Sequence, residues 1–263
     1  MGRLSARCSV YHGLSGLDGG VFGMAFAQVE SQGRNTGAGQ SLPRNTERMN
    51  VRPEAVVFPS GVYFRYGKRI LDIAIVLAMA PLALPLVALL ALAVALDGAN
   101  PFFGHKRIGR NGRAFVCWKL RSMVPDAEHR LRDHLASDAD ARREWEQKFK
   151  LTDDPRITAV GRLLRRTSLD ELPQFWNVLK GEMSLVGPRP VVRTELRRYA
   201  GLSRAYMSVR PGVTGIWQVA GRNDIEHDDR AVMEAGYVAS LSLRNDLSIL
   251  WRTIGVVLRR TGI

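Results

Sequence analysis

Residues 73–96 have the sequence IAIVLAMAPLALPLVALLALAVAL, which contains no charged side chain. As a single α-helix this stretch would be roughly 36 Å long, enough to cross a bilayer core of about 30 Å. Core helices of soluble proteins are usually shorter than this when they carry no charge. The stretch therefore predicts a membrane helix, with a buried core helix as the less favoured alternative.

The prolines and flanking charges of this helix indicate how it enters the membrane. Pro81 and Pro85 lie near its middle, and each removes a backbone donor, so we expect the helix to bend. Basic residues favour the cytoplasmic side, and a straight span would carry one basic flank across the bilayer. We therefore prefer a re-entrant, Pro-bent helix to a single transmembrane span. The flanking basic residues are Arg65, Lys68 and Arg69 before the stretch and Lys106, Arg107, Arg110 and Arg113 after it.

The chain divides into three predicted regions. Residues 1–60 are rich in Gly, Ser, Asn and Arg without sustained periodicity, and we expect them to form a disordered leader. Translation from Met49 would retain every feature described below, so mass spectrometry of the native N-terminus is needed to define this leader. Residues 61–100 form the membrane helix and its flank, and residues 101–263 form a compact cytoplasmic domain.

The composition is strongly basic, with 38 Lys and Arg, 25 Asp and Glu, and a formal net charge of +13. Such a charge favours an anionic partner: a phosphate compound, an anionic lipid or a nucleic acid. The apolar helix and the lack of a recognisable DNA- or RNA-binding motif argue against nucleic acid. Cys8 and Cys117 fit no zinc or disulfide pattern, so neither a structural metal nor a stabilising disulfide is expected.

Residues 101–263 predict an α-rich α+β fold with amphipathic surface helices. The GRNG turn at 109–112, between two basic runs, indicates a short β-hairpin. Residues 125–150 mix acids and bases as a charged helix or helical pair does. Two further helices are predicted within 157–166 and 167–181, the second ending at Gly181. In the tail, apolar residues from Leu243 to Ile254 recur at helical spacing, which favours packing on the core or contact with lipid headgroups.

Two adjacent acids, Asp170 and Glu171, stand at the start of the second of these helices. Ser168 and Glu171 have capping-box spacing, but Pro173 would then lie where the helix needs a backbone donor. With Asp170 as the N-cap, Pro173 falls in the first turn, where no intrahelical donor is lost. We therefore predict Asp170 as the N-cap, at a helix end that attracts phosphate. Arg165, just upstream, could supply charge-assisted hydrogen bonds to that phosphate.

Acids beside arginines at a helix start suit phosphoryl transfer, although acids also occur there simply as caps. One carboxylate can attack phosphorus, a second can help to bind Mg²⁺, and arginines can neutralise charge in the transition state. For the other basic candidates the structural alternatives are a solvated basic surface or a tight turn with a packed aromatic ring. These candidates are Lys119 in a strand-like run, Arg189 between two prolines, and Arg210 and Arg222 on either side of Trp217.

Several motifs in combination resemble the bacterial sugar transferase family, the monotopic phosphoglycosyl transferases. The motifs are KRILDI before the Pro-containing helix, KRIGRNGRAF, KLRSM, the block from DPRIT to GPRP, VRPGVTGIWQVAGRN, and YVASLSLRNDLSIL near the C-terminus. The resemblance covers about residues 68–263. Because a polar leader precedes the membrane helix, the chain is most similar to the compact, exopolysaccharide-type members.

The resemblance implies an undecaprenyl-phosphate sugar-1-phosphate transferase that begins exopolysaccharide assembly. Such an enzyme uses a UDP-sugar and undecaprenyl phosphate, releases UMP, and requires Mg²⁺. It would lie in the bacterial inner membrane, in contact with its lipid, with residues 101–263 as the catalytic domain on the cytoplasmic face.

The family's functional residues can be placed on this sequence by its motifs. Asp170 would be the nucleophile of a phosphosugar–enzyme intermediate, and Glu171 would assist at the metal that both carboxylates bind. Arg165 and Arg189 match family arginines. The bend of the membrane helix falls at Pro81, which follows Ala80 here and Ser in many members, so the geometry of the bend stays open.

A non-catalytic, membrane-bound scaffold or regulator of polysaccharide assembly is the alternative function. It predicts partner binding without turnover, whereas the transferase predicts that Asp170→Asn abolishes UMP release. The sequence leaves the identity of the transferred sugar open. Its apolar surfaces leave room for a homodimer.

Overall fold

A computed structural model of the chain describes residues 58–96, 98–148, 151–220 and 227–258. Of the predicted leader, only residues 58–60 are described, and they have no regular secondary structure. The remainder of the leader, and Arg222, lie outside the described residues.

The described residues form a helix-rich fold with two small sheets, which confirms the predicted α+β class. The helices are α1 (Lys68–Ala95), α2 (Ala127–Ser137), α3 (Ala139–Lys148), α4 (Ala159–Thr167), α5 (Gln174–Lys180), α6 (Arg193–Arg198), α7 (Ser203–Ser208), α8 (Ile216–Ala220), α9 (His227–Ala239) and α10 (Leu243–Leu258). The strands are β1 (Phe102–Ile108), β2 (Ala114–Leu120), β3 (Ser184–Val186) and β4 (Gly212–Thr214). The helices predicted within 125–150, 157–166 and the tail are therefore confirmed as α2 and α3, α4, and α10.

The apolar stretch forms one long helix. A π-helical turn, Tyr63–Gly67, leads directly into α1, which continues through Pro81 and Pro85. The prolines therefore do not divide the segment into two helices. Within the described part of the chain, this is the one helix long and apolar enough to cross a membrane, with a mean hydropathy of 2.7. Only 11% of an 18-residue, strongly apolar stretch of this helix is buried, which argues against a core helix.

Buried polar contacts fix the first turns of α1 to α10 and β3. Lys68 Nζ lies 2.6 Å from Asp246 Oδ2. Asp72 Oδ1 accepts a hydrogen bond of 3.0 Å from the Leu185 amide. The two carboxylates are 1% and 2% exposed, respectively, so both contacts are shielded from water. The base of the apolar helix is therefore an integral part of the folded domain.

The last turns of α1 contact the same domain at a different place. Ala91 and Val94 are buried together with Leu120 of β2 and Leu164 of α4. Arg121 Nη2 donates to the Val94 carbonyl at 3.1 Å. Large apolar side chains between the two ends are exposed: Leu77, Met79, Leu82, Leu84 and Leu89. Both ends of α1 therefore contact one folded domain, while its middle presents an uncovered apolar surface.

The predicted hairpin is confirmed. Strands β1 and β2 pair antiparallel, with His105 opposite Cys117. A short 3₁₀ turn joins them, in which Asn111 and Gly112 have φ values of 58° and 72°. Asn and Gly adopt this left-handed conformation more readily than other residues, which explains why GRNG marks the turn.

A parallel pair, β3 and β4, lies in the centre of the domain. Ser184 pairs with Gly212, and Val186 pairs with Thr214. A Cβ atom on Gly212 would lie 2.1 Å from the backbone nitrogen of Gly187, so only glycine permits this close approach. The largest buried cluster packs around this pair and includes Val76, Val178, Met183, Leu185, Val238 and Ile249. The core thus joins α1, α5, α9 and α10 around the two strands.

Candidate active site

The two acids lie on a short helical turn between α4 and α5. Ser168, directly after α4, adopts a left-handed conformation with φ of 57° and reverses the chain. The 3₁₀ turn Leu169–Glu171 follows, and the Leu172 amide donates to the Leu169 carbonyl at 3.3 Å. Asp170 therefore lies in the middle of a tight turn, with its side chain directed into the domain and 8% exposed.

The prediction that Asp170 is an N-cap is wrong. The N-cap of α5 is Pro173, three residues later. A 3₁₀ turn closes with bonds between residues three apart, and Pro173 needs no donor in a cap position, so the proline is satisfied without moving the cap back. Because α5 begins only at Gln174, the acids precede that helix and do not stand at its amino end. The predicted end of this helix is confirmed: Gly181 follows Lys180 with φ of 81°.

Lys119 connects both acids to the hairpin. Its Nζ donates to Glu171 Oε1 at 2.7 Å and lies 3.6 Å from Asp170 Oδ2. Burial disfavours the ammonium form, but the charges of Glu171 and Asp170 outweigh burial and raise the pKa of Lys119. Lys119 is therefore a fixed positive charge beside the two carboxylates at neutral pH.

The Lys119 ammonium lies farther from the Asp170 carboxylate than from the Glu171 carboxylate. Burial raises the pKa of Asp170, the Lys119 ammonium lowers it in part, and the charge of Glu171 raises it again, with a net upward shift. The distance of 3.6 Å to Lys119 Nζ is longer than a normal charge-assisted hydrogen bond. A carboxylate that is shielded from water but not tightly bonded keeps its capacity to attack an electrophile.

Arg165 also lies near the acids, in the last turn of α4. Its Nε donates to Ser122 Oγ at 2.9 Å. Burial lowers the pKa of Arg165, and Asp170 partly restores it, which places the guanidinium within electrostatic range of that carboxylate. The structure thus brings together four of the predicted site residues, from β2, α4 and the 3₁₀ turn: Lys119, Arg165, Asp170 and Glu171.

A cleft opens beside Glu171 and Lys119 and contains the predicted Arg189. Its lining includes Arg107, Lys119, Glu171, Gln174, Arg189 and Gln218. The centre of the Arg189 guanidinium lies 5.5 Å from the centroid of the Trp217 ring, and that of Arg230 lies 4.2 Å from it. Guanidinium groups bind aromatic faces in this way while their N–H donors remain available to an anion. The cleft therefore combines positive charge with the carboxylate pair.

The structure does not bring Arg210 into this group. Its Nε donates to the Gly181 carbonyl at 2.8 Å, next to Arg69, whose Nη2 donates to the Leu179 carbonyl at 2.8 Å. Both arginines therefore cap the carboxyl end of α5, where cations are favourable. In the described part of the chain, Arg210 is absent from the lining of the cleft.

Sequence reasoning missed Arg107, Gln174, Arg230 and Glu234. The pairing of His105 with Cys117 puts Arg107 on the same hairpin face as Lys119, because side chains alternate along both strands. That alternation was available from the sequence and could have identified Arg107. Gln174, Arg230 and Glu234 carry no local pattern, since their position depends on how α5 and α9 pack.

The donor set suits Mg²⁺ better than a softer metal. Asp170 and Glu171 offer carboxylate oxygens, and Mg²⁺ typically takes one or two carboxylates and completes its coordination with substrate phosphates and water. Within the described residues there is no group of three or more His, Cys, Asp or Glu side chains placed to hold a metal ion. A magnesium ion at this pair would therefore depend on a phosphate ligand.

Comparison with known proteins gives a consistent result. Residues 63–260 match the family described as Bacterial sugar transferase. The chain is 51% identical over 198 residues to the "UDP-galactose-lipid carrier transferase" of Erwinia amylovora, and equally to the "Undecaprenyl-phosphate galactose phosphotransferase" of Salmonella typhimurium. In both cases the match covers 75% of this chain and 42% of the relative.

A shorter relative is covered more completely. The "Exopolysaccharide production protein ExoY" of Sinorhizobium fredii is 43% identical over 200 residues, which cover 74% of this chain and 87% of that protein. The chain thus spans about two fifths of the length of the two galactose-named relatives and most of the length of the exopolysaccharide protein.

Proposed function

Because this chain belongs to the bacterial sugar transferase family, we propose that it transfers a sugar-1-phosphate from a UDP-sugar to undecaprenyl phosphate and releases UMP. The observation that carries the proposal is the placement of Asp170: buried, next to the Lys119 ammonium, and adjacent to a cleft that contains Arg189. This is the arrangement that a carboxylate nucleophile needs for attack on a phosphate ester.

In the first step, an oxygen of the Asp170 carboxylate attacks the phosphorus that carries the sugar. The bond between this phosphorus and the bridging oxygen of the diphosphate breaks, and UMP leaves with the electron pair. The product is a mixed anhydride between Asp170 and the sugar phosphate. Lys119, Arg165 and Arg189 would stabilise the negative charge that develops on the phosphate oxygens.

In the second step, a phosphate oxygen of undecaprenyl phosphate attacks the same phosphorus. The bond to Asp170 breaks, the carboxylate is regenerated, and the lipid diphosphate sugar is released. No proton is gained or lost overall, so the site needs a nucleophile and positive charge but no general base. This agrees with a site composed of one buried aspartate surrounded by Lys and Arg.

We propose Mg²⁺ as the cofactor, held by Asp170 and Glu171 together with donor phosphate oxygens. When bound, it would neutralise phosphate charge and so favour departure of UMP. Lys119 keeps both carboxylates within reach of one another through its contacts of 2.7 and 3.6 Å.

A re-entrant membrane helix gives this site access to a lipid phosphate. Both ends of α1 contact the same domain. If a bilayer covers the exposed middle of α1, the helix must therefore enter and leave that bilayer on the same side. Basic residues are held at both ends of the helix: Arg69 at its start and Arg121 beyond its end each donate to carbonyls of the chain, at 2.8 and 3.1 Å. Basic flanks favour the cytoplasmic side of a membrane. We therefore propose that the catalytic domain lies at the cytoplasmic face of the inner membrane.

Helix α10 supplies a second surface suited to this location. Its exposed apolar side chains recur every three or four residues, which places them along one stripe: Leu243, Leu247, Trp251, Ile254 and Leu258. Such a stripe can lie among lipid headgroups beside the entry of α1.

The test is a UMP-release assay with detergent-purified protein. Steady release should require a UDP-sugar, undecaprenyl phosphate and Mg²⁺ together, and UDP-galactose is the first donor to try because the relatives at 51% identity are named for galactose. A panel of UDP-glucose and N-acetylated or deoxy UDP-sugars would then identify the preferred donor. Binding of assembly partners without turnover of any donor would favour the scaffold alternative instead.

A further inference from the structure

The loop that presents Arg189 has only one backbone donor. Pro188 and Pro190 lack an N–H, so the Arg189 amide is the sole N–H of this three-residue segment. On the amino-terminal side, the Gly187 amide donates to the Thr214 carbonyl at 2.9 Å, which fixes the loop to β4. The position of Arg189 itself therefore depends on what its amide contacts.

A buried carboxylate receives that amide. Glu234 Oε1 accepts a hydrogen bond of 2.9 Å from the Arg189 nitrogen, and Glu234 Oε2 accepts one of 2.9 Å from the Tyr199 hydroxyl. Glu234 lies in α9 and is 2% exposed, although glutamate is rarely buried to this extent. A carboxylate is costly to bury, so one that is retained here needs a specific role.

The same helix also supports the Arg189 side chain. Arg230, one turn before Glu234, lies over the Trp217 ring that Arg189 also contacts, at 4.2 and 5.5 Å from the ring centroid. Helix α9 thus contacts the Arg189 backbone through Glu234, and its Arg230 contacts the same Trp217 ring as the Arg189 guanidinium.

We propose that Glu234 is a positioning residue, which orients Arg189 toward the phosphates of the donor by accepting the only backbone N–H of the Pro188–Arg189–Pro190 loop. This inference rests on the proposed function for the role of Arg189, but the contact itself can be tested without any substrate. Glu234 acts through Arg189 and does not touch the reacting atoms.

The role of Glu234 lies in its acceptor oxygen and does not require its charge. Burial raises the pKa of Glu234 to about 7, although the hydrogen bonds from the Arg189 amide and the Tyr199 hydroxyl and the charges of Arg230 and Arg189 all act in the opposite direction. Both the carboxylate and the acid contain an oxygen that can accept from the Arg189 amide. Glutamine has one as well, so Glu234→Gln is the conservative variant.

Amide hydrogen exchange tests the contact directly. Because Arg189 has the one exchangeable amide of residues 188–190, a peptide that covers this loop reports its protection. We expect slow exchange in the unmodified protein and in Glu234→Gln, and clearly faster exchange at Arg189 in Glu234→Ala. Equal protection of Arg189 in Glu234→Ala would overturn the proposal, whatever the enzymatic activity.

Kinetics test the consequence for the donor. Glu234→Ala should reduce kcat/KM for the UDP-sugar by about 10- to 100-fold, while Glu234→Gln should stay within about threefold of the unmodified protein. In an Arg189→Ala background, Glu234→Ala should cause little further loss, because its effect acts through Arg189. A full additional loss in that background, or equal damage by Gln and Ala, would contradict positioning through the amide.

Val238→Ala is the matched control. Val238 lies one turn after Glu234 in α9 and is fully buried, at 0% exposure. Its truncation should lower the Tm through lost packing, without faster exchange at Arg189 and without a specific loss of kcat/KM for the donor. If Val238→Ala reproduced the effects of Glu234→Ala on Arg189, a general loosening of α9 would replace the proposed role. If no variant or unmodified protein turned over any donor, the exchange data would still decide whether Glu234 positions Arg189.

Discussion

Two lysine–aspartate contacts among the described residues, Lys68–Asp246 and Lys119–Asp170, differ in how completely the aspartate is bonded. At the base of α1, Lys68 lies 2.6 Å from Asp246, while Asp72 accepts from a backbone amide and a serine hydroxyl. In the candidate site, Lys119 bonds Glu171 at 2.7 Å but lies 3.6 Å from Asp170. Asp246 and Asp170 are both buried, but of the two only Asp170 contacts a residue, Lys119, that lines the cleft described above.

Burial and charge alone therefore do not identify a reactive acid. Asp246 also accepts from the Tyr237 hydroxyl at 2.7 Å, so it is bonded on both oxygens and is committed to structure. Asp170 has a longer contact with its lysine and lies beside the lining of the cleft. Incomplete bonding next to an opening is the feature that favours chemistry.

The largest expected effect comes from Asp170→Asn. The amide cannot form the anhydride with the sugar phosphate, so UMP release should fall by about 10⁴-fold or more. The Tm should change little or rise slightly, because a buried carboxylate with a raised pKa is replaced by a neutral group. UMP release within tenfold of the unmodified protein would remove Asp170 as nucleophile.

Next in size is Lys119→Met. The apolar side chain keeps much of the volume of lysine but removes the charge beside both acids, and we expect kcat to fall by about 10²–10³-fold. Because the ammonium lowers the pKa of Asp170, the same variant should move the acid limb of the pH profile to higher pH. If both kcat and the acid limb of the pH profile were unchanged, Lys119 would have only a structural role.

Asp246→Asn tests the Lys68–Asp246 contact and should reduce stability while largely retaining activity. It leaves the buried Lys68 ammonium without its counter-charge, so the free energy of unfolding should drop by about 3–5 kcal/mol. Activity per folded molecule should be largely retained, since Asp246 lies away from the cleft. Thermal unfolding in detergent and UMP release on the same sample separate the two readouts. A stable variant with lost turnover would place Asp246 in the catalytic machinery.

A smaller effect should distinguish Arg189 from Arg210. Lysine cannot reproduce the stacking and forked donors of arginine, so Arg189→Lys should raise KM for the UDP-sugar by about 10-fold or more. Arg210→Lys should leave this KM nearly unchanged and lower the Tm, because Arg210 donates to the Gly181 carbonyl at the end of α5. Similar KM changes in both variants would show that Arg210 also reaches the donor.

The pH dependence of turnover should reflect the environment of Asp170. Because burial raises the pKa of this carboxyl and the nucleophile must be deprotonated, kcat/KM should fall as the pH drops through a value above the ordinary aspartate pKa of about 3.9. The loss should be about tenfold per pH unit on the acid side. An acid limb at or below the ordinary aspartate value would contradict the upward shift.

Much of the fold could be predicted from local patterns. An uninterrupted apolar stretch identified α1, and the GRNG turn identified the hairpin. Apolar residues at helical spacing identified α4 and α10. These features depend on residues close in sequence, which is why single-sequence reasoning finds them. The N-cap prediction failed because Pro173 was treated as a constraint on a regular α-helix, whereas the chain forms a 3₁₀ turn that satisfies the proline differently.

The site could be predicted only in part. Asp170, Glu171 and Arg165 are close in sequence, and Lys119 and Arg189 followed from their motifs. Arg210 resembled Arg189 because both stand beside proline, yet its guanidinium caps α5. Glu234 could not be found because its role depends on the packing of α9 against a loop 45 residues away in sequence. Contacts of that kind require the tertiary structure.

The most direct test of the central claim is a single-turnover experiment without acceptor. Unmodified protein and Asp170→Asn are mixed with Mg²⁺ and UDP-galactose, or the donor preferred in the panel, labelled at the phosphate that carries the sugar. For the unmodified protein we expect at most one equivalent of UMP and one label per chain, on the peptide that contains Asp170. Addition of undecaprenyl phosphate should then remove this label. Turnover with acceptor but no label on the unmodified protein, or a label that persists in Asp170→Asn, would contradict a covalent intermediate on Asp170.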